Sequence, residues 1–206
     1  QDMTLDVIHI MAKHNNICKY IHLPVQSGSN AMLKAMNRQH TREEYMELVD
    51  NIYNIIPEMA LSQDMIAGFC GETEEDHKDT LDLMQHVKYS FGFMFAYSER
   101  PGTLAAKKME DDIPLAVKKR RLQEIIDLQQ EHSLLRTKEH LGKVQEVLIE
   151  GTSKRSENHW KGRNTQNTVV VFPKENYKMG DFVNVHIDDC TSTTLIGTPV
   201  GYSENN

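Results

Sequence analysis

Alternating strand-like and helix-like segments over the first half of the chain, then short β-branched runs, predict an α/β unit followed by a small all-β barrel. Two observations carry the α/β part. Short apolar runs at Cys18–Val25, Met59–Phe69 and Phe91–Tyr97 each end in a polar or glycine-containing turn, and capped amphipathic helices lie between them. A third carries the barrel: beyond Gly142 the runs Val144–Glu150, Thr168–Phe172, Phe182–Ile187 and Thr194–Val200 recur at the even spacing of an OB-like fold.

The first run reads as a buried strand, leaving through His22-Leu23-Pro24-Val25-Gln26-Ser27-Gly28-Ser29. Thr41-Arg42-Glu43-Glu44 then has the form of a capping box, with Tyr45, Leu48, Val49, Ile52 and Ile56 on one helical face until Pro57 closes it. The second run is interrupted by Ser62, Gln63 and Asp64. It leaves through Gly68-Phe69-Cys70-Gly71-Glu72, and Thr73-Glu74-Glu75-Asp76 opens another capped helix. The third run is aromatic and leaves through Arg100-Pro101-Gly102-Thr103. Pro114 suits the first turn of a long connecting helix reaching about His140, on which Lys118-Lys119-Arg120-Arg121 reads as a solvated stretch.

Composition narrows the function classes. No apolar run approaches the ~18 residues of a membrane span, and the start Gln1-Asp2-Met3-Thr4 lacks the pattern of a signal peptide, so a cytoplasmic protein with no membrane partner is expected. Cys18, Cys70 and Cys190 lie far apart, which encodes neither a disulfide framework nor a metal site; the ten histidines form no metal-binding spacing either. Residues 1–117 carry 10 basic and 18 acidic side chains, whereas 118–206 carry 13 and 12. A polyanion is therefore expected to meet the C-terminal part first.

Polar groups end all three strands: Gln26 and Ser27, Asp64 and Gly68–Glu72, then Tyr97, Ser98 and Arg100. Parallel strands would gather them at one carboxyl-terminal rim, where such folds bind ligands; polar residues also end strands for purely local reasons. In the second half, Gly151–Ser156 and Trp160–Asn167 combine cations, amides and one aromatic in what read as neighbouring loops. Such groups suit phosphates and unstacked bases, and Trp160 equally suits packing under the barrel.

The HLPVQSGS run, the Asp64–Phe69 strand with its Gly71-Glu72-Thr73 turn, and Tyr97-Ser98-x-Arg100-Pro101-Gly102-Thr103 stand in the order of the last three barrel strands of the radical S-adenosylmethionine (SAM) methylthiotransferases. Val147–Ser156 and Gly162–Phe172 resemble the TRAM domain of that family, an RNA-binding β-barrel. Nearly the whole chain resembles the C-terminal portion of a MiaB-type tRNA methylthiotransferase. Cys70 stands where the family usually has proline and reads as a turn variant.

The resemblance implies the second half of a partial (β/α)6 TIM-like barrel with its connecting helix in residues 1–136, then a TRAM barrel in 137–203. It also implies a truncated piece, with the ligands of two [4Fe-4S] clusters upstream and no metal ligand in this chain. The implied reaction adds a methylthio group to C2 of N6-isopentenyladenosine next to the tRNA anticodon. One SAM donates the methyl and a second is cleaved to the 5′-deoxyadenosyl radical.

By position, the resemblance assigns Gln26, Ser27 and Asp64 to the amino-acid and ribose parts of SAM, and Phe95 and Tyr97 to its adenine. Arg100, Lys154, Arg155, Arg163 and Asn167 are assigned to the anticodon stem-loop; no residue is assigned as catalytic. A reductant protein is the further partner implied. The alternatives are action on threonylcarbamoyladenosine in tRNA and, for the piece alone, a non-catalytic RNA-binding module.

Overall fold

The structure, a computed structural model, describes residues 3–204. By compactness the chain falls into two units, one of residues 21–54 and 61–132, the other of the segments up to Tyr20, 55–60 and 133 onward. Sheet strands β1 (Tyr20–His22), β2 (Ala60–Ala67) and β3 (Phe91–Ala96) lie in the order β1-β2-β3. β2 and β3 run parallel in the register Asp64 to Phe93 and Ala67 to Ala96. Past the end of β1, Gln26 makes a parallel bridge to Met65, with Gln26 N donating to Asp64 O (2.9 Å) and Ile66 N to Gln26 O (3.0 Å). The expected first strand is thus split, and Pro24, with no N–H to give a ladder, lies in the gap.

Helices α1 (Leu5–Lys13), α2 (Asn30–Ala35), α3 (Arg42–Ile55), α4 (Glu74–Val87), α5 (Leu104–Lys108) and α6 (Leu115–Lys138) complete this half of the chain. Both capping boxes form. Thr41 N donates to Glu44 (2.8 Å) while Glu44 N donates to the Thr41 hydroxyl (3.2 Å), and Thr73 and Asp76 do the same at α4. Ser29 caps α2 and donates to Asp76, so the starts of α2 and α4 share one carboxylate. Gly28 permits this approach, since a Cβ there would overlap the Asp79 carbonyl and Thr80 Cα on α4. Ser62 and Gln63, the polar interruption of the second run, are fully buried within β2. Gln63 donates to Gln129 on α6 (3.3 Å), which donates to Tyr89 O (2.9 Å).

Two features differ from expectation. The basic run on α6 is not solvated throughout: Lys118 and Arg121 are buried, paired with Asp111 and Glu72, while Arg120 lies at the surface with Glu74 and Glu124. The all-β part has five strands rather than four. They are β4 (Val144–Ser153), β5 (Ser156–Asn164), β6 (Val169–Pro173), β7 (Phe182–Cys190) and β8 (Thr194–Tyr202), closed in the order β4-β5-β6-β8-β7. The extra strand, β5, occupies the segment expected to be loop. Its sequence is polar, and it is held by antiparallel ladders to β4 and β6 rather than by an apolar face of its own. Val147, Ile149, Phe172, Val183, Val185 and Ile187 fill the barrel from alternating positions.

Candidate functional site

Because the strands are parallel, their carboxyl ends converge, and a cavity of about 920 Å³ opens there. Gln26, Asp64, Tyr97 and Arg100, polar groups from the three strand ends, line it together with Phe95. Its apolar wall includes Phe69 and Met109, with Met32 and Cys70 packed behind.

Gln26 adopts φ +77°, a left-handed conformation costly for a residue with a Cβ, and its two ladder bonds to β2 impose it. Asp64 Oδ1 sits 3.6 Å from His22 Nε2, and His22 Nδ1 contacts the Ser62 hydroxyl at 2.8 Å, so an imidazole of β1 lies beside the carboxylate of β2. Tyr97 packs edge-on against Phe69 (4.9 Å between centroids). Lys118 approaches the Tyr97 ring at 5.1 Å from behind and donates to Tyr97 O. Burial, then a hydrogen bond with Cys70, pushes the Tyr97 hydroxyl up to about 12, so it stays protonated at neutral pH.

Ser27 is not among the residues that line the cavity. It is fully buried away from the cavity, 3.3 Å from the Thr80 hydroxyl, and accepts from Ser29 N. It fastens the turn to α4. Lys34, Asn37, Arg38 and Lys108 line the cavity as well. For the three cations the signal was a basic residue in or just beyond a short helix, which becomes a site only once the strand ends are assembled.

In the barrel, Lys154 and Arg155 form the exposed β4–β5 turn, and their side chains make no ion pair or hydrogen bond among the described residues. Arg163 and Asn167 are differently placed. Arg163 donates to Asn167 O (2.8 Å) and Oδ1 (3.0 Å) and pairs with Glu150 (3.2 Å), so both serve the turn after β5. Trp160 packs against the barrel core, donates to Lys174 O (3.0 Å) and carries the Lys174 ammonium over its ring at 4.6 Å, which answers its open alternative in favour of packing.

Residues 2–84 match the Radical SAM superfamily and residues 138–200 match the TRAM domain. The chain carries a radical SAM region followed by a TRAM domain. It is 65% identical over its full length to the tRNA-2-methylthio-N(6)-dimethylallyladenosine synthase of Christiangramia forsetii and 63% identical to the enzyme of that name from Flavobacterium psychrophilum. In both cases all of this chain aligns with 43% of the relative, so it spans less than half the length of these curated relatives. Coproporphyrinogen III oxidase (HemN) from Escherichia coli, described as a radical SAM enzyme, superposes with a TM-score of 0.53 at 17% identity. That match covers 80% of this chain and 44% of the other, and it supports the fold alone.

The radical SAM region fits one of its two implied groups. The cavity is large enough for a nucleoside and offers aromatic faces, a buried amide and a carboxylate, which suits SAM. An iron–sulfur cluster does not fit: among the described residues no three His, Cys, Asp or Glu side chains gather as a metal site, and the three cysteines stand apart. No helix among the described residues is long and apolar enough to cross a membrane.

Proposed function

We propose that this chain supplies the SAM-binding and RNA-binding surfaces of a methylthiotransferase acting on C2 of N6-isopentenyladenosine next to the anticodon of tRNA. The observation that carries the reading is the convergence of Gln26, Asp64, Phe95 and Tyr97 on one nucleoside-sized cavity, in a chain whose curated relatives bear the name of that synthase. Asp64, beside His22, suits the ribose hydroxyls, and the Gln26 amide suits the amino-acid end. Phe95 and Tyr97 offer faces for adenine. Bound SAM would supply the chemistry, one molecule giving the methyl group and a second, on reductive cleavage, the radical that activates the adenine carbon. The chain's own part is to hold both partners in register and keep water from them. The ligands of the two [4Fe-4S] clusters and the docking site of the reductant protein belong to other residues of the enzyme. In the TRAM barrel, Lys154 and Arg155 are the cations available to the anticodon stem-loop.

The test is binding of anticodon stem-loops that carry adenosine, N6-isopentenyladenosine or threonylcarbamoyladenosine beside the anticodon. The isopentenyl form is expected to bind tightest, and Lys154→Ala with Arg155→Ala to weaken binding and lower its salt dependence. A preference for the threonylcarbamoyl form, or an unchanged salt titration, overturns the assignment. The chain alone is expected to cleave no SAM under reducing conditions with tRNA present.

A further inference from the structure

Most arginines here are committed to structure. Arg42, Arg120, Arg121, Arg136 and Arg163 all pair with carboxylates. The side chains of Arg38, Arg100 and Arg155 make no ion pair or hydrogen bond among the described residues, and two of these three line the same cavity. Lys34, on α2, and Lys108, at the end of α5, line it as well, exposed and equally unpaired.

This concentration runs against the local charge balance. Residues 1–117 hold 10 basic and 18 acidic side chains, yet four of those basic groups and only one acid, Asp64, line the cavity. Asp64 is engaged by His22, and Asp111, close by, is held by Lys118 at 2.6 Å. Glu99, beside Arg100, is exposed but not among the lining residues. Arg38 leaves its mark on the next titratable group: after burial, its charge is the largest influence holding the His40 imidazole below its ordinary value. Four like charges around one opening stabilise nothing in the folded chain and repel one another, so their placement calls for an anionic ligand.

We infer that Lys34, Arg38, Arg100 and Lys108 form a phosphate-binding rim that grips the RNA backbone on both sides of the nucleoside held in the cavity. The inference rests on the RNA reading given above and extends it from Arg100 to a built set. A lone carboxylate, such as that of SAM, occupies one guanidinium fork. A polynucleotide brings a phosphate before and after each base, which matches cations contributed by α2, the loop after it, the loop after β3 and α5. These contacts position the backbone without reading sequence.

Fluorescence anisotropy with a labelled anticodon stem-loop tests this on the whole chain. Arg38→Ala with Lys108→Ala is expected to weaken binding about tenfold or more and to flatten the dependence of log K on log salt by about 1.5 to 2 for two lost phosphate contacts. The thermal midpoint should hold, since neither side chain has a partner to lose. A stem-loop with neutral methylphosphonate linkages flanking the target nucleoside should show the same loss with the unaltered chain and no further loss with the double variant. Unchanged affinity and slope in the variant overturn the rim, as does a full extra loss on the neutral-linkage RNA. If the unaltered chain binds and Lys154→Ala with Arg155→Ala weakens it while the rim variant does not, the rim alone falls; if the unaltered chain does not bind the stem-loop, the RNA reading falls with it.

Discussion

Arg121 meets Glu72 at 2.8 Å with both side chains withdrawn from solvent, 4% and 2% exposed. The guanidinium also donates to Glu72 O (3.0 Å), and the carboxylate accepts from Gly68 N (3.0 Å). One ion pair on α6 therefore closes the Gly68–Glu72 turn, which carries Phe69 into the cavity wall and leads into α4.

Removing one member leaves the other buried without its counter-charge. Arg121→Met is expected to destabilise the chain by about 3–5 kcal/mol, and adding Glu72→Met to recover much of that loss. Urea unfolding of the two variants and the unaltered chain measures both.

Two carboxylates share Arg121 and respond to pH with opposite sign. Hydrogen bonds from Arg121, then Arg120, hold Glu74 down to about 2, below its ordinary 4.5. Its stabilising contribution is thus present above pH 4.5 and lost as pH falls toward 2. Burial pushes Glu72 above its ordinary 4.5 despite the Gly68 N–H and Arg121. Its contribution is full below 4.5 and is lost as pH rises through the folded-state value. Glu74→Gln should flatten the acid limb of a plot of urea midpoint against pH, and Glu72→Gln should flatten the fall on the alkaline side of 4.5.

Ser27 and Asp64 separate fastening from ligand contact. Ser27→Ala should cost about 1 kcal/mol through the lost Thr80 and Ser29 contacts and leave binding of S-adenosylhomocysteine unchanged. Asp64→Asn should leave the thermal midpoint near its starting value and weaken that binding about tenfold. Equilibrium dialysis alongside thermal melts distinguishes them, and a loss of binding in Ser27→Ala would put its hydroxyl back in the site.

What could be read along the chain was whatever neighbouring residues decide. Thr41 with Glu44 and Thr73 with Asp76 cap their helices through contacts three residues apart, and both boxes form. The apolar run at β2 announces a strand buried on both faces of the sheet, whereas β3 is apolar yet leaves Phe91, Phe93 and Phe95 exposed on one face. Gln26, Asp64 and Tyr97 were legible as strand ends, and they meet, with the Phe95 that the family resemblance singled out, because parallel pairing sends every end the same way.

Assembly decided the rest. Periodicity places Lys118 and Arg121 on a helix but is silent on which face meets Asp111 and Glu72, acids from other segments. Ser27 stands one residue from Gln26, yet it turns to Thr80 because α4 packs against that turn. β5 has no apolar alternation to betray it, since its hydrogen-bonding partners are supplied by β4 and β6. The cationic opening gathers from separate segments of the chain. Local propensity acts between residues a few positions apart, whereas burial, counter-charge and strand pairing are set by whichever distant segment arrives alongside, and that is known only when the chain has closed on itself.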